Sequence, residues 1–247
     1  MKRFGLIGKT LGYSFSRKYF SNKFAALGLE DHVYENFELS AIDEVKDLFK
    51  QSDIYGFNVT IPYKESVMDY LDQIDPAAAE IGAVNTICRD ADGSLVGYNT
   101  DHIGFKGSLE GFLSDTLNQK SALILGTGGA SKAVAFALNA LDYDIRFVSR
   151  GSGTGILTYD QLTKNDIRSA GLIINTTPLG TFPDVDNCPD IPYEHLTESQ
   201  HLYDLVYNPE WTKFLKFGRD KSCPVQNGLR MLELQAEAAW SIWNQGQ

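Results

Sequence analysis

Apolar positions in residues 1–101 alternate between short continuous runs and a helical spacing. The continuous runs predict strands at residues 3–7, 33–37 and 54–60. The helical spacing predicts helices at residues 17–27 and 41–49, and Gly28 is a suitable C-terminal cap for the first of them. One face of that helix would contain Tyr19, Phe20, Phe24 and Leu27. This alternation is typical of βαβ units and favours an α/β domain with a mainly parallel sheet.

A hairpin and a helix complete this part of the chain. Residues 84–88 and 95–98 are strand-like and flank a turn signal at residues 90–93, so they predict a hairpin. Residues 99–101 then offer N-cap chemistry for a helix that ends near residue 113.

A second alternating series begins after residue 121. Apolar runs predict buried strands at residues 122–125, 145–148, 172–175 and 202–205. Helical patterns predict a helix at residues 131–141 and a final helix at residues 229–243. We therefore predict two α/β domains, of which the second, over residues 102–228, is Rossmann-like. The first domain would comprise residues 1–101 and 229–247, because the polar Gln235 of the final helix would otherwise lack a purpose.

Composition and charge narrow the class of protein. The 247 residues are 43% hydrophobic and 22% charged, with a formal net charge of −10. Such an acidic surface repels phosphate backbones, so we expect no nucleic-acid partner. No stretch approaches the roughly 18 apolar residues of a membrane span, and Lys9 interrupts the apolar run at the N-terminus. We expect a soluble, cytoplasmic protein that is a monomer or a homodimer.

The cysteines and histidines do not suggest a metal site. The three cysteines lack CxxC spacing and the four histidines lack HExxH spacing. We expect reduced thiols and no bound metal.

A glycine-rich turn follows the strand at residues 122–125 and opens the next helix. It consists of Gly126, Thr127, Gly128, Gly129, Ala130 and Ser131. Gly126 permits a tight turn, Gly128 lets backbone amides approach a pyrophosphate, and the helix N-terminus favours negative charge. Ser131 stands where the usual fingerprint has its third glycine. This context predicts a dinucleotide site.

The tip of the next strand indicates which dinucleotide is bound. NAD-specific domains place a carboxylate there, on the ribose hydroxyls. Here the strand ends in Ser149 and Arg150, and a guanidinium is suited to a 2′-phosphate. The sequence therefore favours NADP(H) over NAD(H).

Lys64 and Asp101 are candidates for proton transfer. Hydride delivery to a ketone leaves an alkoxide, so a positioned acid must supply a proton. Pro62 suits the first turn of a helix, which would place Lys64 where the helix dipole lowers its pKa. The carboxylate of Asp101 would act in the opposite direction.

Several segments in the same order resemble the shikimate dehydrogenases, over essentially the whole chain. They are residues 13–16, 58–64, 82–86, 97–101, 126–131 and 203–207, together with Gln235. The resemblance implies NADPH-dependent reduction of 3-dehydroshikimate to shikimate, a step towards chorismate and the aromatic amino acids.

The resemblance also assigns roles to individual residues. Lys64 and Asp101 would be the catalytic pair, and Asn58 would brace the loop or lie at the edge of the pocket. The substrate would contact Ser14, Ser16, Thr60, Asn85, Asp101, Tyr207 and Gln235. The cofactor would contact the turn at residues 126–130, Ser149, Arg150, Thr176, Val206 and Gly228. Relatives usually have a second arginine after Arg150, which this chain lacks, so the preference for NADP is weakened.

Three alternatives stay open. One is a broader enzyme that also oxidises quinate. Another is a non-catalytic NADP- and shikimate-binding sensor, although a sensor has no need for Lys64 as a proton donor. A third is an amino-acid or folate dehydrogenase with the same two-domain plan, which the serine pair and Gln235 disfavour.

Overall fold

A computed structural model describes residues 1–12, 15–113 and 119–245. The chain divides into two compact units. The first unit comprises Met1–Thr100 and the end of the chain from Gln235, and the second comprises Asp101–Leu234. The final helix contributes residues to both.

The described part of the first unit contains a six-stranded mixed sheet. Its strands are β1 (Lys2–Gly8), β2 (His32–Glu38), β3 (Ile54–Val59), β4 (Gln73–Ile74), β5 (Thr86–Arg89) and β6 (Leu95–Tyr98). Its helices are α1 (Phe15–Ala26), α2 (Val45–Phe49) and α3 (Pro76–Ile81), with 3₁₀ helices at Ile42–Glu44 and Ser66–Tyr70. The strand order is β2-β1-β3-β5-β6-β4. The pairs β1–β2, β1–β3 and β4–β6 are parallel, whereas β3–β5 and β5–β6 are antiparallel.

Strand β5 and strand β6 form the predicted hairpin, and Gly28 follows α1 with a φ of +67°. The predicted apolar face of α1 is only partly confirmed. Phe20 and Phe24 are buried, but Leu27 lies beyond the last helical residue and is 54% exposed.

The helix predicted after Pro62 is wrong. Lys64 lies in a turn that precedes the 3₁₀ helix Ser66–Tyr70. Its carbonyl accepts a hydrogen bond from Val84 N at 2.8 Å, and the Tyr63 hydroxyl donates to Leu39 O at 2.6 Å. Because these bonds fix the chain in a non-helical turn, the helix-dipole argument for Lys64 does not apply.

The final helix, α8 (Leu229–Gln245), packs on the first sheet through Trp243. The indole Nε1 of Trp243 donates to Ile87 O at 3.0 Å. A Cβ at Gly56 of β3 would lie 2.3 Å from the same nitrogen, so only glycine leaves room for the ring. This contact fixes the helix that carries Gln235 against β3 and β5.

The second unit has, in its described residues, a six-stranded parallel sheet. Its strands are β7 (Ser121–Leu125), β8 (Asp144–Ser149), β9 (Ile156–Thr158), β10 (Leu172–Asn175), β11 (His201–Asp204) and β12 (Val225–Gln226). Its helices are α4 (Asp101–Phe112), α5 (Gly129–Asn139), α6 (Lys164–Ser169), α7 (Lys213–Asp220) and the start of α8, with 3₁₀ helices at Tyr159–Gln161 and Tyr193–His195.

The strand order of this sheet is β12-β11-β10-β7-β8-β9. Numbered within the unit it is the 3-2-1-4-5-6 order of Rossmann folds, with the reversal point between β7 and β10. Alternate residues of the strands enter opposite apolar layers: Ala122 and Ile124 face one layer, and Leu123 and Leu125 face the other. The predicted class of two α/β domains, the second Rossmann-like, is confirmed.

Within the described ranges, no helix is both long enough and apolar enough to cross a bilayer.

Candidate active site

A buried group of polar side chains lies in the first unit, around Asn85. Its side-chain nitrogen donates to the Thr100 hydroxyl at 3.0 Å, and its side-chain oxygen accepts from the Thr100 backbone N–H at 2.6 Å. The Thr86 hydroxyl donates to the same oxygen at 3.1 Å. None of these three residues is more than 3% exposed. Desolvated hydrogen bonds of this kind hold polar atoms in one arrangement.

Two arms extend from this group, and the first reaches Gln235, which the resemblance assigns to the substrate. On one side the Thr100 hydroxyl donates to Gln235 Oε1 at 3.4 Å. On the other side Asn58 Nδ2 donates to Thr86 Oγ1 at 3.2 Å, and the Tyr34 hydroxyl donates to Asn58 Oδ1 at 2.7 Å. We call the connected set the polar network, and its members are Ser16, Tyr34, Asn58, Asn85, Thr86, Thr100 and Gln235.

Ser16 joins the polar network through Tyr34. Its side chain hydrogen-bonds the Tyr34 hydroxyl. Burial raises the pKa of Tyr34, and the bond from Ser16 lowers it by a smaller amount. Ser14 lies outside the described residues. The network therefore joins three predicted substrate residues, Ser16, Asn85 and Gln235.

Sheet register explains the placement of the network. Asn58 of β3 lies directly opposite Thr86 of β5, and Thr86 lies opposite Tyr98 of β6. Directly opposed residues in antiparallel strands share one face, so their side chains come within bonding distance. Thr60 follows β3, where its N–H donates to Ile7 O at 2.9 Å.

The two residues of the predicted catalytic pair belong to different units. Lys64 is partly buried in the turn after β3. Asp101 is the first residue of α4 in the second unit and is 7% exposed. A carboxylate in the first turn of a helix is favoured by the helix dipole.

The glycine turn of the second unit lies at the reversal point of the parallel sheet. Gly126 follows β7 with a φ of +117°, and a Cβ there would lie 2.6 Å from Thr176 Oγ1. Gly128 is the N-cap of α5, and a Cβ there would meet open space. The buried Ser131 hydroxyl donates to Gly128 O at 2.5 Å, so it braces the turn from inside. The turn thus presents the N-terminus of α5 at the edge where Rossmann folds bind dinucleotides.

Thr127 and Gly128 are exposed in this turn, whereas Gly129 and Ala130 are partly buried at the start of α5. The predicted adenosine residues follow the next strand. Ser149 ends β8 and its hydroxyl accepts from Gly151 N at 3.4 Å.

Arg150 is exposed next to Ser149, and the chain continues through turns to β9 without an intervening helix. Burial raises the pKa of Tyr159, and the positive charge of Arg150 lowers it by a smaller amount. The guanidinium therefore lies close enough to act electrostatically on this phenol.

The remaining predicted cofactor residues follow β10 and β11. The Thr176 hydroxyl donates to Leu125 O at 2.7 Å, beside Gly126. Gly228 N donates to Val206 O at 3.2 Å, and a Cβ at Gly228 would lie 2.1 Å from Leu205 O. Tyr207 follows Val206, so this predicted substrate residue lies in the second unit.

Sequence reasoning missed Tyr34, Thr86 and Thr100 as members of the polar network. Thr86 is a polar residue at the start of β5, directly before the apolar Ile87 and Cys88, and that was the available signal. Tyr34 gave none, because tyrosine is an ordinary strand residue.

The three cysteines are free thiols. Burial raises the pKa of Cys88 and of Cys223 to about 11 each. In the described part of the chain, no group of three or more histidine, cysteine, aspartate or glutamate residues is arranged to hold a metal ion.

Comparison with known proteins identifies the family. A family model described as the shikimate dehydrogenase substrate binding domain matches residues 6–87. A shikimate dehydrogenase (NADP(+)) of Moorella thermoacetica is 40% identical over 258 residues, covering 96% of this chain and 86% of the relative.

Two solved structures share the fold along almost the whole chain. A shikimate 5-dehydrogenase of Thermus thermophilus, in complex with NADP(H) and shikimate, is 32% identical, with a TM-score of 0.85, covering 99% of this chain and 94% of that one. A quinate dehydrogenase of Corynebacterium glutamicum, in complex with NAD, is 26% identical, also with a TM-score of 0.85, covering 98% of this chain and 93% of that one. The chain belongs to the shikimate dehydrogenase family.

Proposed function

We propose that the protein catalyses the reversible NADPH-dependent reduction of 3-dehydroshikimate to shikimate, in the biosynthesis of chorismate and the aromatic amino acids. The observation that carries this proposal is the polar network, which joins Ser16, Asn85 and Gln235 in the unit that contains the matched substrate-binding domain.

The polar network suits a ring that bears several hydroxyls. Such a ring is distinguished from its analogues when each missing hydroxyl leaves a buried protein group without a partner. In this proposal Asn85, Gln235 and Thr60 bind the ring hydroxyls, with Tyr207 alongside. Ser14 and Ser16 bind the carboxylate with hydroxyl donors, which an acidic chain can provide without a basic pocket.

Lys64 and Asp101 are proposed as the catalytic pair. When bound, the reduced cofactor supplies a hydride to the ketone carbon. Lys64 then delivers a proton to the ketone oxygen as charge develops there, and Asp101 orients the ammonium and a neighbouring ring hydroxyl. In the reverse direction Lys64 takes the proton from the alcohol.

The cofactor is proposed to bind at the carboxyl edge of the parallel sheet. The turn at residues 126–130 would bind the pyrophosphate through backbone amides. Arg150 and Ser149 would bind the adenosine phosphate, and Thr176, Val206 and Gly228 would contact the nicotinamide half. A single arginine supports NADP(H) as the favoured cofactor, with a smaller margin over NAD(H) than two arginines would provide.

The test is a set of shikimate- and quinate-dependent reductions of NADP and NAD, followed by the absorbance of the reduced nicotinamide. We expect the highest kcat/KM with shikimate and NADP. Comparable values with quinate would support the broader enzyme instead. No turnover with either substrate, while shikimate and NADP still bind, would support the sensor.

Variants separate chemistry from binding. Lys64→Ala should lower kcat by about 10²- to 10⁴-fold while largely retaining the shikimate Kd. The exposed Lys46→Ala is the matched control and should leave kcat unchanged. A Lys64→Ala enzyme with near-normal kcat would contradict the catalytic assignment.

A further inference from the structure

Asp204 is a buried carboxylate at the end of β11 that no proposed catalytic or binding role uses. It is 0% exposed. Its Oδ2 accepts from the Thr212 hydroxyl at 2.6 Å, and its Oδ1 accepts from Val206 N at 3.0 Å and Asn175 Nδ2 at 2.9 Å. Both oxygens therefore accept hydrogen bonds.

The three donors come from three different segments. Asn175 ends β10, Val206 lies in the loop after β11, and Thr212 is the N-cap of α7. Asn175 and Thr212 each accept a further backbone hydrogen bond. Asn175 Oδ1 accepts from Thr177 N at 3.0 Å, and Thr212 Oγ1 accepts from Leu215 N at 3.3 Å. Asp204 thus joins the loops at the carboxyl ends of β10 and β11 to α7.

Two of these loops contain the residues proposed to contact the nicotinamide half. Thr176 directly follows Asn175 and bonds to Leu125 O beside the glycine turn. Val206 accepts from Gly228 N at 3.2 Å through its carbonyl. Asp204 therefore bonds directly to Val206, and it bonds to Asn175, the residue before Thr176.

A carboxylate suits this position better than its neutral isostere. Burial of a charged group is costly, and an apolar core would be cheaper. However, asparagine has a single side-chain acceptor oxygen, and its NH₂ group would face a donor on one side. Only an acceptor at both positions satisfies Thr212, Val206 and Asn175 together.

We propose that Asp204 is a positioning residue that holds the Thr176 and Val206 loops in the geometry that binds the cofactor. This inference rests on the proposed function, because it takes the carboxyl edge of the second sheet as the cofactor site.

The experiment measures the Kd of NADPH, by nicotinamide fluorescence, for the full chain and for Asp204→Asn, at a pH well above the folded-state pKa of Asp204, where the carboxylate is charged. Loss of hydrogen bonds to a charged group is worth about 1.5–3 kcal/mol, so we expect the Kd to rise about 10- to 100-fold. The KM for shikimate at saturating NADP should stay within about twofold, because the polar network lies in the other unit.

Gln200→Ala is the matched control. Gln200 is 1% exposed, precedes the same strand at its opposite end, and accepts from Thr197 N at 2.8 Å. It should lower the thermal midpoint comparably and leave the NADPH Kd unchanged. If both variants weaken NADPH binding equally, Asp204 has only a structural role and the inference is overturned.

If Asp204→Asn does not fold, Thr212→Val carries the same test. It removes one of the three donors and should raise the NADPH Kd by several-fold, again with little change in the shikimate KM. If the wild type turns over shikimate and Thr212→Val leaves the NADPH Kd unchanged, the inference about Asp204 is overturned but the proposed function is not. A wild type that binds no NADP(H) would overturn both the inference and the proposed function.

Discussion

The two units build their candidate binding surfaces from different parts of the chain. In the first unit side chains form the surface, and Asn85, Thr86 and Thr100 bond to one another inside the sheet. In the second unit the backbone forms it, because Gly126 and Gly228 lie where a Cβ would collide with a neighbour. A ring with hydroxyls requires placed side-chain donors and acceptors, whereas a pyrophosphate can be bound by backbone amides.

Sheet topology explains this difference. Antiparallel pairing of β3 with β5 places Asn58 opposite Thr86, so polar side chains meet within the sheet. In the all-parallel sheet every strand ends at the same edge, so the loops after β7, β10 and β11 meet there instead. We therefore expect the first unit to be sensitive to the loss of polar side-chain atoms, and the second to be sensitive to any side-chain atom added at its close backbone approaches.

The largest effect is expected from Gly228→Ala. The added methyl would meet the Leu205 carbonyl, which is backbone and cannot rotate away. We expect the free energy of unfolding to fall by about 3 kcal/mol, with loss of NADP binding, as measured by urea denaturation and fluorescence.

Gly111→Ala is the control for this prediction. Gly111 lies in α4, and a Cβ there meets open space. Alanine should therefore stabilise the protein by about 0.5–1 kcal/mol. If Gly228→Ala and Gly111→Ala changed the free energy of unfolding equally, the second unit would tolerate a side chain at a close backbone approach. The contrast between the two units would then fail.

A smaller loss is expected from Asn85→Ala. It leaves the Thr100 N–H and the Thr86 hydroxyl without their buried acceptor, so we expect a destabilisation of about 2 kcal/mol. The KM for shikimate should rise while the Kd of NADPH is unchanged. Asn85→Asp retains the acceptor oxygen and should lose less stability.

Asn139→Ala, at the exposed end of α5, is the surface control and should change stability by less than about 0.5 kcal/mol. A loss for Asn85→Ala as small as this would show that the polar network contributes little to the first unit.

Much of the fold was predictable because its buried strands are continuous apolar runs that can be recognised in the sequence. Strand β10 has the predicted bounds, and β7, β8 and β11 begin and end within one residue of them. Strands β4 and β12 were not predicted, because two residues carry no periodicity. Helix α6, with six residues, is too short for a helical pattern to be distinguished from a turn.

The candidate site was predictable to a different extent in the two units. The glycine turn follows from local rules, since a strand, a turn and a helix are consecutive in the sequence. The polar network does not, because Tyr34 and Asn58 are 24 residues apart and meet only through strand pairing. The turn at Lys64 was mispredicted for the same reason, since the bond from Val84 N is a tertiary contact.

A more modest effect is expected for the pH dependence of stability at Asp204. Burial raises the pKa of this carboxyl to about 7 from a usual value of 3.8, and the hydrogen bonds from Thr212, Val206 N and Asn175 lower it by smaller amounts. The folded state therefore holds the proton more tightly than the unfolded state. The resulting stabilisation is fully present below the unfolded pKa and is lost as the pH rises towards about 7.

Wild type should thus lose stability relative to Asp204→Asn as the pH rises from about 5 to about 6, by about 1 kcal/mol. Tyr193, a titratable group that faces Asp204, stays protonated there because burial raises its pKa. Urea denaturation of both proteins across this range is the measurement. A difference that is independent of pH would mean that Asp204 has the same pKa in the folded and unfolded states.

The smallest effect concerns the two buried thiols, which report on each unit separately. Cys88 lies in the apolar cluster of the first unit and Cys223 in that of the second. Because burial raises the pKa of both to about 11, a thiol reagent should label them only when their unit opens.

NADP at about three times its Kd should then slow the labelling of Cys223 by about fourfold, while shikimate should slow the labelling of Cys88. Mass spectrometry of the labelled peptides resolves the two rates, with a Cys188→Ser background to remove the partly exposed thiol. If either ligand slows the labelling of both cysteines equally, the two units open together as one cooperative body. The units would then differ in the chemistry of their binding surfaces but not in their stability.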